Sequence, residues 1–274
     1  MRQTDNSPNR NRFVFYYFVL VLAIGGLAFT PWVLASYGMF PPSLGTVFLV
    51  IGGLSPTIAA VALTVLEYGK AELRSLFGQF TRKGFSKLWF LAALGIPLFL
   101  CICALLLWFV FQPNAIDSYV LDLGTLLSLP LVLLVNFLMN MWEEIGWRGY
   151  ALQKLQTNFS VILSTIMAGL VQAAWHWPQF LVKDSVMANN YHNFLWLLVW
   201  VLLISVAYSW VYNSTKGSLL VVSLFHGSIN AVNSLLFFNL SISYSVFPFY
   251  LIVTTIVSFG LLLGFRSRFF SRVL

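Results

Sequence analysis

Two adjacent glutamates and a nearby arginine interrupt an apolar part of the sequence. Glu143 and Glu144 adjoin a long apolar run, and Arg148 follows them. Of the eight acidic residues in the chain, only these two do not fall in a tail or a loop between apolar runs. An ionisable side chain in the middle of a bilayer costs roughly 2.5–3.5 kcal/mol on insertion scales, so such residues are candidates for a functional site.

The spacing of these charges divides them between two faces of a helix. Glu144 and Arg148 are four residues apart and can form an ion pair along one face. Glu143 points about 100° away from Glu144 and can face the interior of a helix bundle. Asn136 and Asn140 extend a polar stripe toward the start of the same helix. Taken alone, the charges fit equally well a helix end at the membrane surface, where charged residues are normal.

Two of the three histidines in the chain also lie in apolar runs. His176 stands between two tryptophans, and His226 is followed four residues later by Asn230, on the same helix face. His192 lies in a polar loop, where we expect it to be solvated. A lone intramembrane histidine is more often an interhelical hydrogen-bonding residue than a catalyst. A polar stripe on an apolar helix, however, must face the bundle interior or a wet cavity.

Three separate apolar runs therefore each carry a buried polar group. A carboxylate or an imidazole can act in acid–base catalysis, and N–H donors can stabilise an oxyanion. Because packing does not readily explain this coincidence, the pattern indicates catalytic chemistry inside a membrane.

The composition places these residues in a membrane protein. The chain has 274 residues, of which 59% are hydrophobic and 8% are charged, whereas a soluble domain carries about 25% charged residues. A water-facing surface cannot be built from such a sequence. The net charge of +7 comes from basic residues in short loops, which favours lipid headgroups over nucleic acid as partners.

Eight apolar runs are long enough to cross a bilayer, which takes about 20 residues. They predict an all-α protein with about eight transmembrane helices in one bundle. The first run is too long for a signal peptide and is expected to stay in place. Pro130 suits the first turn of the fourth helix. The predicted spans are residues 13–37, 44–68, 88–111, 128–151, 158–181, 194–214, 217–237 and 244–265.

The distribution of lysine and arginine predicts the orientation, because these residues favour the cytoplasmic side. With the N-terminus inside, Lys183 alone of the 15 basic residues falls outside. We expect an integral protein of a prokaryotic cell membrane, with an amphipathic helix over residues 70–87 on the inner surface. The predicted organisation is a cytoplasmic tail at 1–12, a membrane domain at 13–265 with its catalytic core at about 130–235, and a cytoplasmic tail at 266–274.

The set of motifs resembles that of a known family. Glu143-Glu144-x-x-x-Arg148, then His176, then His226-x-x-x-Asn230 is similar to the pattern of the type II CAAX prenyl endopeptidases, also called the CPBP or Abi family of intramembrane proteases. The order of the motifs and the eight-span layout agree, over roughly residues 130–235. One departure is Gln172, since the family often has phenylalanine four residues before the first histidine.

The resemblance implies proteolysis inside the membrane, with glutamate and histidine activating a water molecule. The implied substrate is a peptide or lipidated peptide at the inner leaflet, of the CAAX type in some family members, with membrane lipid as a further partner. The implied roles are general base for Glu143, water positioning for His176, oxyanion donation for His226 and Asn230, and a supporting ion pair for Glu144 and Arg148.

The residues favour a mechanism without a metal cofactor. The chain has no HExxH sequence, so the zincin motif gives no support, and Asn230 suits oxyanion donation better than zinc ligation. The alternative is a zinc ion bound by Glu143, His176 and His226 with an open position for water.

Two other functions use the same residues. A transporter or an ion or proton channel would use the buried polar groups as a path, although no inverted repeat is visible in the sequence. A non-catalytic membrane protein of the bacteriocin-immunity type would act by binding alone. Replacement of Glu143 distinguishes these functions from proteolysis.

The expected depths of the candidate residues do not match. Counted from the inner ends of straight helices, Glu143 and His226 lie roughly 12–14 Å deep, whereas His176, counted from Asn158, lies about 27 Å deep. This difference predicts that the fifth helix begins as an interfacial segment or tilts strongly.

Overall fold

All the regular secondary structure within residues 9–118, 122–238 and 242–270, the ranges that the computed structural model describes, is helical. Short 3-10 turns and two π-helices connect or extend the α-helices. The α-helices are α1 (Asn9–Ser36), α2 (Pro42–Tyr68), α3 (Leu73–Gly78), α4 (Leu88–Phe111), α5 (Leu123–Glu144), α6 (Gln153–Leu155), α7 (Val161–Trp175), α8 (Val186–Tyr191), α9 (Phe194–Ser214), α10 (Leu219–Asn233), α11 (Ser243–Gly264) and α12 (Arg266–Phe270).

The predicted all-α membrane fold is confirmed. Within the described ranges, seven helical segments are long and apolar enough to cross a membrane, and the fourth of them runs without interruption through α5 and α6. The remaining predicted span, the fifth at 158–181, corresponds to α7, which has 15 residues and so a length of about 22 Å. The hydrocarbon core is about 30 Å thick, so α7 is shorter than a helix that crosses it completely.

The predicted start of the fourth span is wrong. Helix α5 begins at Leu123, and Pro130 lies inside it rather than in its first turn. Asp122 caps the helix, because its carboxylate accepts hydrogen bonds from Thr125 N at 3.0 Å and Thr125 Oγ1 at 2.6 Å. These bonds from Thr125 also hold the pKa of Asp122 below its usual value. A side-chain cap sets a helix start more strongly than a proline, which membrane helices tolerate internally.

The segment predicted as one amphipathic helix over 70–87 is instead broken into 3-10 turns around α3. It does not simply lie on the surface, since Gln79 is 2% exposed. Gln79 Nε2 donates to Gly149 O at 2.9 Å, and Tyr212 Oη donates to Gln79 Oε1 at 2.6 Å. These buried bonds attach the segment to the ends of two spans.

The predicted tails are partly helical where they are described. Helix α1 starts at Asn9, and α12 occupies Arg266–Phe270. Arg2 and Arg272, on which the predicted orientation partly rests, lie outside the described residues.

Two glycines let the central helices approach closely. A Cβ atom on Gly227 in α10 would lie 2.7 Å from the N and Cα atoms of Phe137 in α5. A Cβ atom on Gly146 would lie 2.5 Å from the carbonyl oxygen of Pro56 in α2. Small residues at such positions allow backbones to touch in membrane bundles. The backbone of α5 and its continuation is therefore packed directly against α2 and α10.

Candidate active site

A cavity of about 150 Å³ lies where α5, α7, α9 and α10 meet. Four of the predicted site residues line it: Glu143, His176, His226 and Asn230. The other two, Glu144 and Arg148, are buried behind this layer, with 0% and 4% of their surfaces exposed. The fold thus brings together side chains from three helices that are far apart in the sequence.

Glu143 has a carboxylate oxygen that forms no hydrogen bond of ordinary geometry within the described ranges, although the Trp147 indole interacts with this carboxylate. It lies near the C-terminal end of α5 and is half-buried. Its Oε2 atom is buried and has no hydrogen-bond partner among the described residues. A carboxylate oxygen in this state can accept a proton or a hydrogen bond from a molecule in the cavity.

Glu144 holds two other polar side chains in place. Its Oε1 atom accepts a hydrogen bond from Arg148 Nη1 at 2.8 Å and another from His226 Nδ1 at 2.7 Å. The Arg148 guanidinium also lies 4.1 Å from the centre of the Tyr208 ring, a cation–π contact. Because a carboxylate only accepts, His226 Nδ1 carries a proton and Nε2 is the nitrogen left for the cavity.

His176 is fixed by its own backbone. It follows the last residue of α7, and its Nδ1 lies 2.8 Å from the carbonyl oxygen of Gln172. A carbonyl oxygen only accepts hydrogen bonds, so Nδ1 is the donor and Nε2 of the neutral ring has a free lone pair. Gln172, which departs from the family pattern, is 6% exposed and lines the same cavity.

Trp175, the residue before His176, is anchored to α2 where Pro56 interrupts the helical hydrogen bonds. Trp175 Nε1 donates to Ser55 Oγ at 2.9 Å, and Ser55 Oγ donates to Gly52 O at 2.7 Å. Pro56 has no N–H group with which to bond Gly52 O, the acceptor four residues earlier. The serine hydroxyl donates a hydrogen bond to Gly52 O in place of that N–H and accepts one from Trp175. Helix α2 thereby fixes the end of α7.

Asn230 is oriented by Asn140, which the sequence pattern placed on the polar stripe without a separate role. Its Nδ2 atom donates to Asn140 Oδ1 at 3.0 Å, and Asn140 Nδ2 donates to Asn136 O at 2.6 Å. An amide nitrogen has two hydrogens, so Asn230 keeps one for a ligand. The polar stripe on α5 signalled Asn140 and Asn136, but only the packing of α10 shows their function.

A π-helix over Ile145–Leu152 continues α5 directly after the two glutamates. All eight of its residues are buried, and it contains Arg148. Such wide turns occur frequently at functional sites. The sequence predicted an uninterrupted α-helix here, since the apolar pattern does not distinguish one wide turn.

The difference in expected depth does not keep the three side chains apart. Glu143, His176 and His226 line one cavity. A residue count converts to depth only for helices that run straight and parallel to the membrane normal. His192, by contrast, lies outside the cavity and contacts Tyr244, with its Nε2 atom 2.8 Å from the Tyr244 carbonyl oxygen.

The donor set gives no cluster of metal ligands in the described part of the chain. No group of three or more histidine, cysteine, aspartate or glutamate side chains there is arranged to hold a metal ion. His226 Nδ1 is bonded to Glu144, which leaves Nε2 for a ligand of any kind, as in histidines that bind metals. The absence of a metal from the reaction therefore stays a prediction.

A larger apolar groove of about 570 Å³ adjoins the polar cavity. Residues of α1, α2 and α5 form most of it, and Val50, Ile58 and Met139 in its wall are exposed on the bundle surface. Glu143 and Trp175 line both the groove and the polar cavity. The groove therefore joins the lipid-facing surface to the candidate catalytic carboxylate.

Together, the helical bundle and the cavity define a polytopic membrane protein with a cluster of ionisable and polar side chains inside the bundle. The part of the chain that carries this site, residues 125–232, matches the family model of the Rce1-like type II CAAX prenyl endopeptidases. Over 109 residues the chain is also 28% identical to the CAAX prenyl protease 2 of Methanococcus maripaludis. That alignment covers 38% of this chain and 40% of the relative.

The matched segment contains every residue on which the resemblance rested. It runs from α5 to α10 and includes Glu143, Glu144, Arg148, His176, His226 and Asn230. The resemblance is therefore confirmed for this segment. The helices α1, α2 and α4 lie outside it.

We predict that the two adjacent glutamates contribute very differently to stability. Glu144→Gln removes the charge that compensates the buried Arg148 and should lower the free energy of unfolding by about 3–5 kcal/mol. Glu143→Gln alters a carboxylate whose buried oxygen has no partner among the described residues. The free energy of unfolding of this variant should therefore change little. Thermal unfolding of both variants in one detergent measures the difference, and equal midpoints would contradict the contacts assigned to Glu144.

Proposed function

We propose that the chain is an intramembrane endopeptidase that hydrolyses peptide bonds of membrane-associated, CAAX-type substrates. The observation that carries this proposal is the single cavity lined by Glu143, His176, His226 and Asn230. The family match to prenyl endopeptidases and the name of the Methanococcus maripaludis relative support the same chemistry. A proton or ion path would need these polar groups but not their convergence with an apolar groove.

In the proposed reaction, Glu143 acts as the general base. Its free carboxylate oxygen takes a proton from a water molecule, and His176 Nε2 accepts the other hydrogen of that water and orients it. The hydroxide attacks the carbonyl carbon of the peptide bond and forms a tetrahedral oxyanion. The protonated Glu143 then gives its proton to the leaving nitrogen as the C–N bond breaks.

His226 and Asn230 are proposed to stabilise the oxyanion. With Nδ1 donating to Glu144, His226 has Nε2 left, and this atom donates when the ring carries both protons. The second hydrogen of Asn230 Nδ2 supplies another donor. Fixed donors of this kind are effective because they need no rearrangement as charge develops.

The apolar groove is proposed to receive the lipid or the apolar side chains of the substrate. It shares Glu143 with the polar cavity, so an apolar group in the groove would place a neighbouring peptide bond beside the base. Its walls are largely apolar, and part of them is exposed toward the bilayer. The partners in this proposal are membrane lipid and a peptide or lipidated-peptide substrate, without nucleic acid.

Replacement of Glu143 tests the reaction. Glu143→Gln should reduce cleavage about 10²–10⁴-fold, as expected for loss of a general base, and Asn230→Ala should reduce it about 10²–10³-fold, as expected for loss of an oxyanion donor. The assay is mass spectrometry of a panel of lipidated and unlipidated peptides. We further propose that no metal takes part, so wild-type activity should survive a strong chelator.

Three outcomes would overturn this assignment. Cleavage retained by Glu143→Gln would exclude the carboxylate as base, and stoichiometric zinc with activity lost to chelation would reverse the metal-free mechanism. Ion flux through proteoliposomes that depends on Glu143, in the absence of any cleavage, would favour a transporter or channel.

The groove yields a second prediction. Gly53 lines it, and a Cβ atom added there meets no other atom within 4 Å, so Gly53→Phe should fill the groove without disturbing the helix. The KM for a prenylated peptide should rise about ten-fold or more, since several buried methylene groups lose their contacts, while kcat changes less. Gly260→Phe on α11, equally unobstructed, is the matched control. An unchanged KM in Gly53→Phe would remove the groove from substrate binding.

We also propose that both termini face the cytoplasm of a prokaryotic cell, as the lysine and arginine distribution favours. A green fluorescent protein fused to either end should then be fluorescent, because it folds in the cytoplasm and not after export through the general secretion pathway. Fluorescence of the C-terminal fusion together with a dark N-terminal fusion would contradict an even number of spans.

A further inference from the structure

A second polar cavity, of about 380 Å³, lies at the ends of the spans on the side where basic residues collect. It is formed by the segment after α3, the residues after α6, and the turn between α9 and α10. It shares no described lining residue with the candidate active site. We call it the basic cavity, and its chemistry differs from that of the site above.

The basic cavity contains two cations, Arg82 and Lys216, and none of its described lining residues is acidic. Arg82 Nη1 donates to the carbonyl oxygen of Lys216 at 2.5 Å, which pins the guanidinium to the α9–α10 turn. Lys216 Nζ lies 3.0 Å from the position that a Cβ atom would take on Gly84, two residues beyond Arg82. The two exposed cations therefore lie at the same turn, and both can only donate hydrogen bonds.

A buried amide adds a third donor to the cavity wall. Gln156 lines the cavity and is 4% exposed. Its Nε2 atom is buried and makes no hydrogen bond to any residue in the described part of the chain. A buried donor without a partner is costly, so this position favours an acceptor supplied by a ligand.

A guanidinium, an ammonium and an amide N–H match the oxygens of a phosphate group. The cavity lies where α9 ends at Ser214 and α10 begins at Leu219, at the level where phospholipid headgroups meet the protein. We propose that the basic cavity binds a phosphate-class anion, with the headgroup of an anionic phospholipid as its source in the membrane.

Hydrogen bonds connect the basic cavity to the candidate active site. Gln79 Nε2 bonds Gly149 O in the π-helix at 2.9 Å and Gln153 Oε1 in the cavity wall at 3.4 Å. Tyr212, which also lines the cavity, donates to Gln79 Oε1. The same π-helix carries Arg148, so an anion bound here holds the end of the element that positions Glu144 and His226.

The test compares two double variants with the same loss of charge. Arg82→Gln with Lys216→Gln removes both cations of the basic cavity. Arg74→Gln with Lys87→Gln removes two exposed cations of the same segment that do not line it. Retention of phosphatidylglycerol is measured by native mass spectrometry, and its thermal stabilisation is measured in detergent, with phosphatidylcholine as the neutral lipid.

We expect wild type and the Arg74/Lys87 variant to retain phosphatidylglycerol, and the Arg82/Lys216 variant to bind it about ten-fold or more weakly. Inorganic phosphate is the second probe. Stabilisation by phosphatidylglycerol but not by phosphate identifies a lipid headgroup as the ligand, and stabilisation by phosphate alone identifies a free anion. Equal loss of binding in both double variants, or stabilisation by neither probe, overturns the proposal.

Gln156→Leu separates binding from folding. Loss of a buried, unpartnered amide should leave the lipid-free protein as stable as wild type or more stable, while binding of phosphatidylglycerol weakens. A variant that is merely misfolded would instead lose stability in both conditions. Unchanged lipid binding in Gln156→Leu would remove the amide from the proposed site.

Discussion

The buried carboxylate of Glu144 is the contact on which the arrangement of the site depends. One of its oxygens accepts hydrogen bonds from both Arg148 and His226, and so ties α5, the π-helix and α10 together. A charge inside a membrane bundle is costly unless it is paired and hydrogen-bonded or faces a wet cavity. Because the pair cannot separate without leaving a bare charge, the imidazole of His226 is held in one orientation beside the cavity.

Backbone packing makes this contact reachable. Gly227 lets α10 lie directly on α5, and Gly146 lets the π-helix lie against the carbonyl of Pro56. Apolar side chains gain little by meeting one another in lipid, so close approach of this kind is a main source of helix association in membranes. The missing N–H of Pro56 also frees Gly52 O for Ser55, which in turn fixes Trp175 next to His176. The irregular backbone of α2 thus helps to position His176, and the π-helix after α5 positions Arg148.

The polar cavity comes from one part of the chain, whereas the apolar groove combines residues of that part with residues of earlier helices. The cavity is built by the segment that matches the endopeptidase family, residues 125–232, whereas α1 and α2 outside that match supply much of the groove. In the proposed function, the matched segment performs the hydrolysis, and the unmatched helices select the substrate that reaches the site. The proposed ligand of the basic cavity, at the C-terminal end of the same π-helix, would couple the site to the surrounding lipid.

The sequence by itself determined the membrane class, nearly all the helices and the candidate residues of the site. It could do so because long apolar runs admit one structure in a bilayer, and because polar groups are rare enough in them to stand out. It did not determine that Glu144 bonds His226, that Asn140 orients Asn230, or that Asp122 rather than Pro130 starts α5. The contacts with His226 and Asn230 join residues 82 and 90 positions apart, and helical periodicity gives the face of a side chain but not the helix that it meets. Only the tertiary packing decided which buried donors and acceptors satisfy one another.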